Sequence, residues 1–85
     1  MKYDIEIKRP ALKFLRRLDK QTAKKITDTI DKLADEPRPF GYKKLVDEEG
    51  LYRVRVGNYR IIYEVQERVL LIVVLRLARR REDTY

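Results

Sequence analysis

Cysteine and histidine are both absent from this chain of 85 residues. Without cysteine, the chain has no disulfide framework and no thiolate nucleophile. Without histidine, it lacks the commonest general base of enzymes and the commonest ligand of zinc sites. Any catalysis must therefore depend on other side chains, and we expect it to need neither a metal nor another cofactor.

Long apolar runs and glycine-rich segments are missing as well. The longest apolar run, residues 69–75, is far too short to span a bilayer, and no signal peptide is evident. The chain has only three glycines, which excludes a glycine-rich phosphate loop. These absences predict a cytoplasmic protein that works without a membrane.

The length and the apolar content favour a single small domain that spans residues 1–85. Hydrophobic residues make up 44% of the chain, which is enough for a folded core. A domain of this size buries only a modest share of its surface. We therefore expect the functional site on an open face rather than in an enclosed cavity.

Positive charge is in excess, with 21 Lys and Arg against 14 Asp and Glu and a formal net charge of +7. All of the basic residues between positions 51 and 85 are arginine. Arginine can bind two phosphate oxygens through parallel N–H groups, which lysine cannot do. The charge therefore favours a polyanionic partner such as a nucleic acid.

The first half of the chain is patterned as one strand and two helices. Residues 3–8 alternate apolar and charged side chains, as in a half-buried strand. Pro10 suits the first turn of a helix, and Asp19 is typical of the cap of a second helix. Apolar residues then recur at helical spacing as far as Ala34, and Pro37 ends the pattern. The tight connection predicts an antiparallel helix hairpin.

The second half is patterned as strands, with a hairpin at its centre. Two alternating runs, residues 51–56 and 59–65, flank the dipeptide Gly57-Asn58, which is typical of a two-residue hairpin turn. A two-residue turn pairs Val56 with Tyr59 and Arg55 with Arg60. The pattern therefore fixes both the existence of the hairpin and its register.

Shorter elements are predicted on either side of the hairpin. Residues 44–46 favour a short edge strand, and residues 47–50 an acidic turn. After a second turn near residues 66–68, the apolar residues 69–75 predict the last strand, and residues 78–85 a charged tail. The order predicts an α+β fold: an N-terminal strand, a helix hairpin and then a mainly antiparallel sheet of three to four strands.

The hairpin divides its side chains between two faces, because side chains alternate along a strand. One face is apolar and forms a wall of the core: Tyr52, Val54, Val56, Tyr59, Ile61, Tyr63 and Val65. The other face receives Arg53, Arg55 and Arg60. Like charges opposite each other are destabilising, by up to about 1 kcal/mol. We interpret this arrangement as a phosphate-binding surface. The alternative is a solvated strand face, on which Arg55 and Arg60 stack together or pair with Glu64.

The charged tail can add to this surface if it returns along the sheet. It contains three consecutive arginines, Arg79, Arg80 and Arg81, and a tyrosine, Tyr85. A run of arginines near a terminus is usually a disordered charged end. Beside the arginine face, however, the tyrosine ring could stack on a base or its hydroxyl could act as an acid or base.

Residues 51–63 show an arginine-bearing strand, a glycine turn, Tyr-Arg, two aliphatic residues and Tyr. This pattern resembles the RelE/ParE toxin superfamily. The opening strand, the start of the first helix, the proline after the second helix and residues 43–45 fit the same family, so the resemblance covers nearly the whole chain.

The resemblance implies a RelE-type toxin of a type II toxin–antitoxin module, a metal-independent endoribonuclease that cleaves mRNA in the ribosomal A site. Its implied partners are mRNA and the ribosome, and a cognate antitoxin with an acidic wrapping segment and a DNA-binding part. Operator DNA would be bound indirectly, through the antitoxin complex. The residues that match the family's catalytic positions are Arg53, Arg55, Arg60, Arg80 and Tyr85, and those expected to bind RNA are Lys43, Lys44, Arg79 and Arg81.

The implied reaction is attack of the ribose 2′-hydroxyl on the neighbouring phosphate, with arginines stabilising the charge that develops there. Better-known RelE proteins have lysines at the positions of Arg53 and Arg55. Arginine keeps phosphate binding but stays protonated, so these two residues are poor proton donors. An ordinary tyrosine pKa is near 10. Tyr85 would therefore need help from adjacent arginines to act as a base.

Two other functions suit the same sequence. A ParE-like protein would inhibit DNA gyrase by binding to it, because one fold can host both activities. ParE-type members generally lack the full basic set that this chain keeps, which favours the nuclease. A non-catalytic basic RNA-binding domain is the other alternative, and it predicts binding with a steep salt dependence but no cyclic-phosphate product.

Overall fold

Two helices and five strands make up the part of the chain that the computed structural model describes, residues 2–45 and 50–79. Among these residues, no helix is long and apolar enough to cross a membrane. The elements in chain order are β1 (Asp4–Ile7), α1 (Arg9–Arg16), α2 (Lys20–Leu33), β2 (Lys43–Lys44), β3 (Leu51–Val56), β4 (Tyr59–Gln66) and β5 (Leu71–Arg79).

The strands form one mixed sheet in the order β1-β5-β4-β3-β2. β1 runs parallel to β5, with Asp4 beside Leu71, and the other neighbouring pairs are antiparallel. Both helices contribute side chains to a single core cluster with one face of the sheet. The predicted α+β fold is confirmed, and within residues 2–45 and 50–79 no helix covers the opposite face of the sheet.

The helices bury the residues that their apolar spacing predicts. Ala11 of α1 and Ile26 and Ile30 of α2 are buried against strand residues, among them Ile72 and Val74 of β5. Pro10 lies in the first turn of α1, where its missing N–H costs no hydrogen bond. The apolar sides of the two helices therefore cover the apolar side of the sheet.

Asp19 caps α2 as its position predicts. Its carboxylate accepts a hydrogen bond from the backbone N–H of Thr22 at 3.1 Å. Hydrogen bonds from the hydroxyl and the backbone N–H of Thr22 hold the pKa of Asp19 below its usual 3.8. The carboxylate form is the one that caps the helix.

We expect Asp19→Ala to lower the thermal unfolding midpoint by several degrees at neutral pH. Because the pKa of Asp19 is lowered on folding, its contribution is complete above about pH 3.8 and is lost as the pH falls through the folded value. The difference between wild type and variant should therefore shrink in acid. Thermal melts between pH 2 and pH 7 measure it, and Asp19→Asn, which caps without a charge, is the control. A difference that did not depend on pH would contradict this account.

The central hairpin has the predicted register. Val56 is paired with Tyr59, Arg55 with Arg60 and Val54 with Ile61. Gly57 has a φ of +59°, in the left-handed region that a tight hairpin turn requires and that glycine adopts without strain. The predicted separation into an apolar face and an arginine-bearing face is thereby confirmed.

The last strand differs from its prediction at both ends. It runs from Leu71 to Arg79, so Val69 belongs to the preceding turn, and Ala78 and Arg79 belong to the strand rather than to a tail. The strand continues because pairing with β4 reaches Arg79 opposite Tyr59. The short edge strand is Lys43–Lys44, one residue earlier than predicted. Val46 and the acidic residues at 47–49 lie outside the described residues.

Candidate nucleic-acid interface

The face of the sheet without helices carries a row of basic residues across four strands. Lys43 of β2 lies opposite Arg53 of β3, Arg53 lies opposite Ile62 of β4, and Ile62 lies opposite Arg76 of β5. Directly opposed residues of an antiparallel pair share a face. The register alone therefore brings three cations into one row around a single isoleucine.

A second row lies directly beside the first. In it, Arg55 of β3 is opposite Arg60 of β4, and Arg60 is opposite Ala78 of β5. Since residues two apart on a strand share a face, both rows lie on the same side of the sheet. We refer to the five cations of the two rows as the basic face: Lys43, Arg53, Arg55, Arg60 and Arg76.

The members of the basic face differ in exposure. Lys43, Arg55 and Arg76 are exposed, Arg53 is half-buried, and Arg60 is only 8% exposed. An arginine buried to this degree is rare in proteins and is held in a defined position by its surroundings. The basic face thus has a buried guanidinium on the middle strand of the sheet, with more exposed cations around it.

Two apolar residues form the floor of this face, Ile62 among the cations and Val73 beyond them. Ile62 and Val73 are 6% and 3% exposed although they lie on the face without helices, and neither belongs to the core cluster on the helix side. Neighbouring side chains must therefore cover them, and the long stems of arginine suit this because they pack on apolar surface while the charged end stays in water. The result is a flat floor with charged groups above it.

Carboxylates collect at the far end of the same face. Glu64 lies opposite Val73, and Val73 lies beside Glu6 of β1. Glu64 accepts a hydrogen bond from the side-chain amide of Gln66 at 3.1 Å, and Glu6 pairs with Lys8 at 3.0 Å. The face is therefore basic in the two rows nearer the Gly57-Asn58 turn and acidic in the next row of residues, further from that turn.

Three ion pairs occur within residues 2–45 and 50–79, and none of them brings a carboxylate to Lys43, Arg53, Arg55 or Arg76. In the same part of the chain, no cluster of three or more carboxylates could hold a metal ion. The arrangement can bind the oxygens of a phosphate and stabilise negative charge on them.

The structure places two of the predicted RNA-binding residues on the other side of the sheet. Lys44 lies opposite Tyr52, and Arg79 lies opposite Tyr59, both of which face the helices. The guanidinium carbon of Arg79 is 5.9 Å from the centre of the Tyr59 ring, within the range of a cation–π contact. The basic face does not include these two residues. Arg80, Arg81 and Tyr85 lie outside the described residues.

Arg76 belongs to the basic face but was not among the predicted site residues. Leu75 is the extra residue of a β-bulge, because Ile62 pairs with Arg76 while the next residue, Tyr63, pairs with Val74. The bulge puts Val74 and Arg76, two residues apart, on opposite faces. Regular alternation would have put Arg76 in the core, and nothing in the local sequence marks the bulge.

The chain is similar to proteins of a known family. Residues 5–84 match the model of the ParE toxin family of type II toxin–antitoxin systems, parDE. The chain is 36% identical to a Methanocaldococcus jannaschii protein named as toxin RelE1, and the match covers all of this chain and 97% of that protein. Among solved structures, the chain is similar to the archaeal RelE–RelB complex from Pyrococcus horikoshii, with a TM-score of 0.85 and 33% identity over 98% of this chain and all of that one.

A fold match without close sequence similarity extends the comparison to bacteria. The RelBE2 toxin–antitoxin complex from Mycobacterium tuberculosis has a TM-score of 0.82 and 24% identity, over 94% of this chain and all of that one. Taken together, the fold and the face without helices define a small α+β toxin of the type II toxin–antitoxin class. The chain belongs to the RelE/ParE toxin superfamily and is a RelE-like member of it.

Proposed function

We propose that this chain is an endoribonuclease toxin that cleaves mRNA in the ribosomal A site and needs no metal to do so. The observation that supports the proposal is the basic face, where five cations are gathered and Arg55 and Arg60 are directly opposed. Opposed arginines lower the stability of the fold, and a role in binding phosphate would explain why they are present despite this cost. A bound mRNA would place its phosphates against these cations.

The reaction that suits this face is an internal transfer of the phosphoryl group. The ribose 2′-oxygen attacks the adjacent phosphorus and loses its proton, while the bond to the 5′-oxygen of the next nucleotide breaks and that oxygen gains a proton. The products are a 2′,3′-cyclic phosphate and a free 5′-hydroxyl. Arg60, fixed on the middle strand, and Arg55 beside it would stabilise the charge on the phosphate oxygens.

The remaining parts of the machinery follow from the family. Arg53 and Arg55 would act through charge and not by donating protons, because a guanidinium stays protonated. Tyr85, with help from neighbouring arginines such as Arg80, would act on a proton or stack on the substrate, and the ribosome would orient the mRNA for in-line attack. Arg81 would add to RNA binding. According to this proposal, an open site without histidine is sufficient for mRNA cleavage.

Neutralisation would come from an antitoxin. The solved relatives from Pyrococcus horikoshii and Mycobacterium tuberculosis are complexes of a toxin with its antitoxin. We propose that this chain likewise binds a cognate antitoxin, whose acidic segment wraps around the toxin and whose DNA-binding part carries the complex to operator DNA. The toxin would then act in the cytoplasm, where its ribosomal target is.

The test is mRNA cleavage in a purified translation system. We expect the added chain to cut mRNA only when ribosomes are present and to leave a 2′,3′-cyclic phosphate at the new 3′ end, detected by end-specific ligation or mass spectrometry. Cutting of free mRNA at the same rate would argue against dependence on the ribosome. Binding to RNA without a cyclic-phosphate product would indicate a non-catalytic RNA-binding domain instead.

The matched family description favours a second candidate, inhibition of DNA gyrase by protein–protein binding. The same preparation should be added to gyrase and supercoiled plasmid. DNA breaks that require gyrase, together with intact mRNA in the translation system, would support the ParE-type activity and contradict the nuclease.

A further inference from the structure

Phe40 is the most exposed large hydrophobic residue of the part of the chain that the structure describes. Its ring is fully exposed, at 104% of the reference value, and it sits in the segment that links α2 to β2. A lone exposed apolar residue is common and needs no function to explain it. The surroundings of Phe40 are what distinguish it, because it borders a groove that also contains two cations of the basic face.

The turn that carries Phe40 has a defined shape. The backbone N–H of Tyr42 donates a hydrogen bond to the carbonyl of Pro39 at 3.0 Å, which closes a four-residue turn. Gly41, the third residue of this turn, has a φ of +91°, as a type II turn requires. Phe40 occupies the second position of this turn, where its side chain is fully exposed.

The segment is also held to the sheet at both ends. The hydroxyl of Tyr63 donates to the carbonyl of Pro37 at 2.6 Å, and Arg38 donates to the hydroxyl of Tyr52 at 3.1 Å while pairing with Glu67 at 2.9 Å. After the turn, the ring of Tyr42 packs edge-on against that of Tyr52, with the centroids 5.7 Å apart. Phe40 is therefore displayed on a fixed support, which lowers the entropic cost of using it to bind a ligand.

The groove beside the ring has a volume of about 400 Å³, within the range of small-ligand sites. Its described lining residues are Phe40, Gly41, Lys43, Val54 and Arg55. They combine one exposed aromatic ring with two cations of the basic face, and they include no carboxylate. A flat apolar group with an attached anion would match all of them, and a nucleotide has that chemistry.

We propose that Phe40 stacks on an unpaired base of the RNA strand whose phosphates are bound by Lys43 and Arg55. The inference rests on the proposed nuclease function and extends it by assigning a base-binding position next to the phosphate-binding one. Proteins that bind single-stranded nucleic acid combine cations along the backbone with aromatic rings on which bases stack. Because the Phe40 side chain is fully exposed, a flat base can reach its ring.

The experiment compares variants of the full chain in binding to a short, unstructured RNA at low ionic strength. The 2′-hydroxyls of the RNA are methylated to prevent cleavage, and a matched RNA has abasic sites in place of its bases. We expect Phe40→Ala to bind the normal RNA about five- to a hundredfold more weakly than wild type. Phe40→Trp should restore binding, and Phe40→Leu, which is apolar but has no ring, should not.

The controls separate stacking from charge and from general surface effects. Val69→Ala removes another exposed apolar side chain, in the turn before β5, and should bind like wild type. On the abasic RNA, Phe40→Ala should bind like wild type, because there is no base to stack on. Arg55→Ala should weaken binding of both RNAs, because its contact is with phosphate.

The outcomes distinguish this inference from the proposed function. If Phe40→Ala binds both RNAs like wild type while Arg55→Ala does not, the base-stacking role is wrong and the phosphate-binding face remains. If wild type binds neither RNA and cuts no mRNA on ribosomes, both proposals are wrong. Normal RNA binding by Phe40→Ala, together with weaker binding of the antitoxin, would assign the ring to a protein interface and overturn the inference.

Discussion

Replacing Arg60 with alanine is expected to slow ribosome-dependent cleavage of mRNA by about a hundredfold to a thousandfold, as when one preorganised stabilising group is removed from an active site. Arg60 lies on the middle strand of the sheet, opposite Arg55, and is only 8% exposed. A buried guanidinium is already in place when charge develops on the phosphate. The measurement is the single-turnover rate of mRNA cleavage on programmed ribosomes.

Two further variants show whether the loss is specific. Arg60→Lys keeps the charge but loses the paired N–H groups, so its rate should fall between wild type and Arg60→Ala. Arg68→Ala removes an exposed arginine from the turn before β5 and should cleave like wild type. Because Arg60 is buried, each variant is also compared by thermal unfolding. A folded Arg60→Ala variant with the wild-type rate would remove Arg60 from the catalytic machinery.

The second large effect concerns stability. Tyr63→Ala is expected to lower the free energy of unfolding by about 3–5 kcal/mol, as for other large aromatic residues removed from a core. Tyr63 is completely buried on β4, and its ring packs against that of Tyr52 with the centroids 5.8 Å apart. The total stability of a small domain is only about 5–15 kcal/mol. Denaturant unfolding followed by circular dichroism measures the change.

Tyr63→Phe separates the ring from its hydroxyl. This variant keeps the packing but leaves the buried carbonyl of Pro37 without its donor, at a cost of about 1–3 kcal/mol. Burial raises the pKa of Tyr63 above its ordinary value of 10.0. The wild type therefore loses stability as the pH rises above about 10, and Tyr63→Phe should lack that part of the loss. Identical alkaline unfolding of the two proteins would contradict the assignment.

The hairpin and both helices could be predicted because each depends on local rules. The dipeptide Gly57-Asn58 set the turn length, and the turn length set which arginines oppose each other. Asp19 and Pro10 marked helix starts through the hydrogen bonds that helix ends require. The placement of Arg53, Arg55 and Arg60 on one face follows from this hairpin alone.

The rest of the basic face depends on contacts between distant segments. Arg76 reaches it through a bulge that forms only when β5 pairs with β4, and Arg79 turns to the ring of Tyr59 for the same reason. Lys43 and Lys44 lie on opposite faces because they are neighbours on one strand, and the register with β3 decides that Lys43 is the one on the basic face. Phe40 lies near Arg55 because the turn around Gly41 borders the same groove as β3, and the local sequence does not predict this contact.

The parallel pairing of β1 with β5 affects how the protein can be made. Asp4 pairs with Leu71, the first residue of β5. β5 is synthesised after the other six described elements, so β1 must wait for its partner strand. α1 also packs mainly on β5. Contacts that join such distant parts of a chain form late in folding, because they require closure of a long loop. A growing chain is therefore expected to have no completed sheet, and hence no toxicity, until β5 has emerged from the ribosome that is making it.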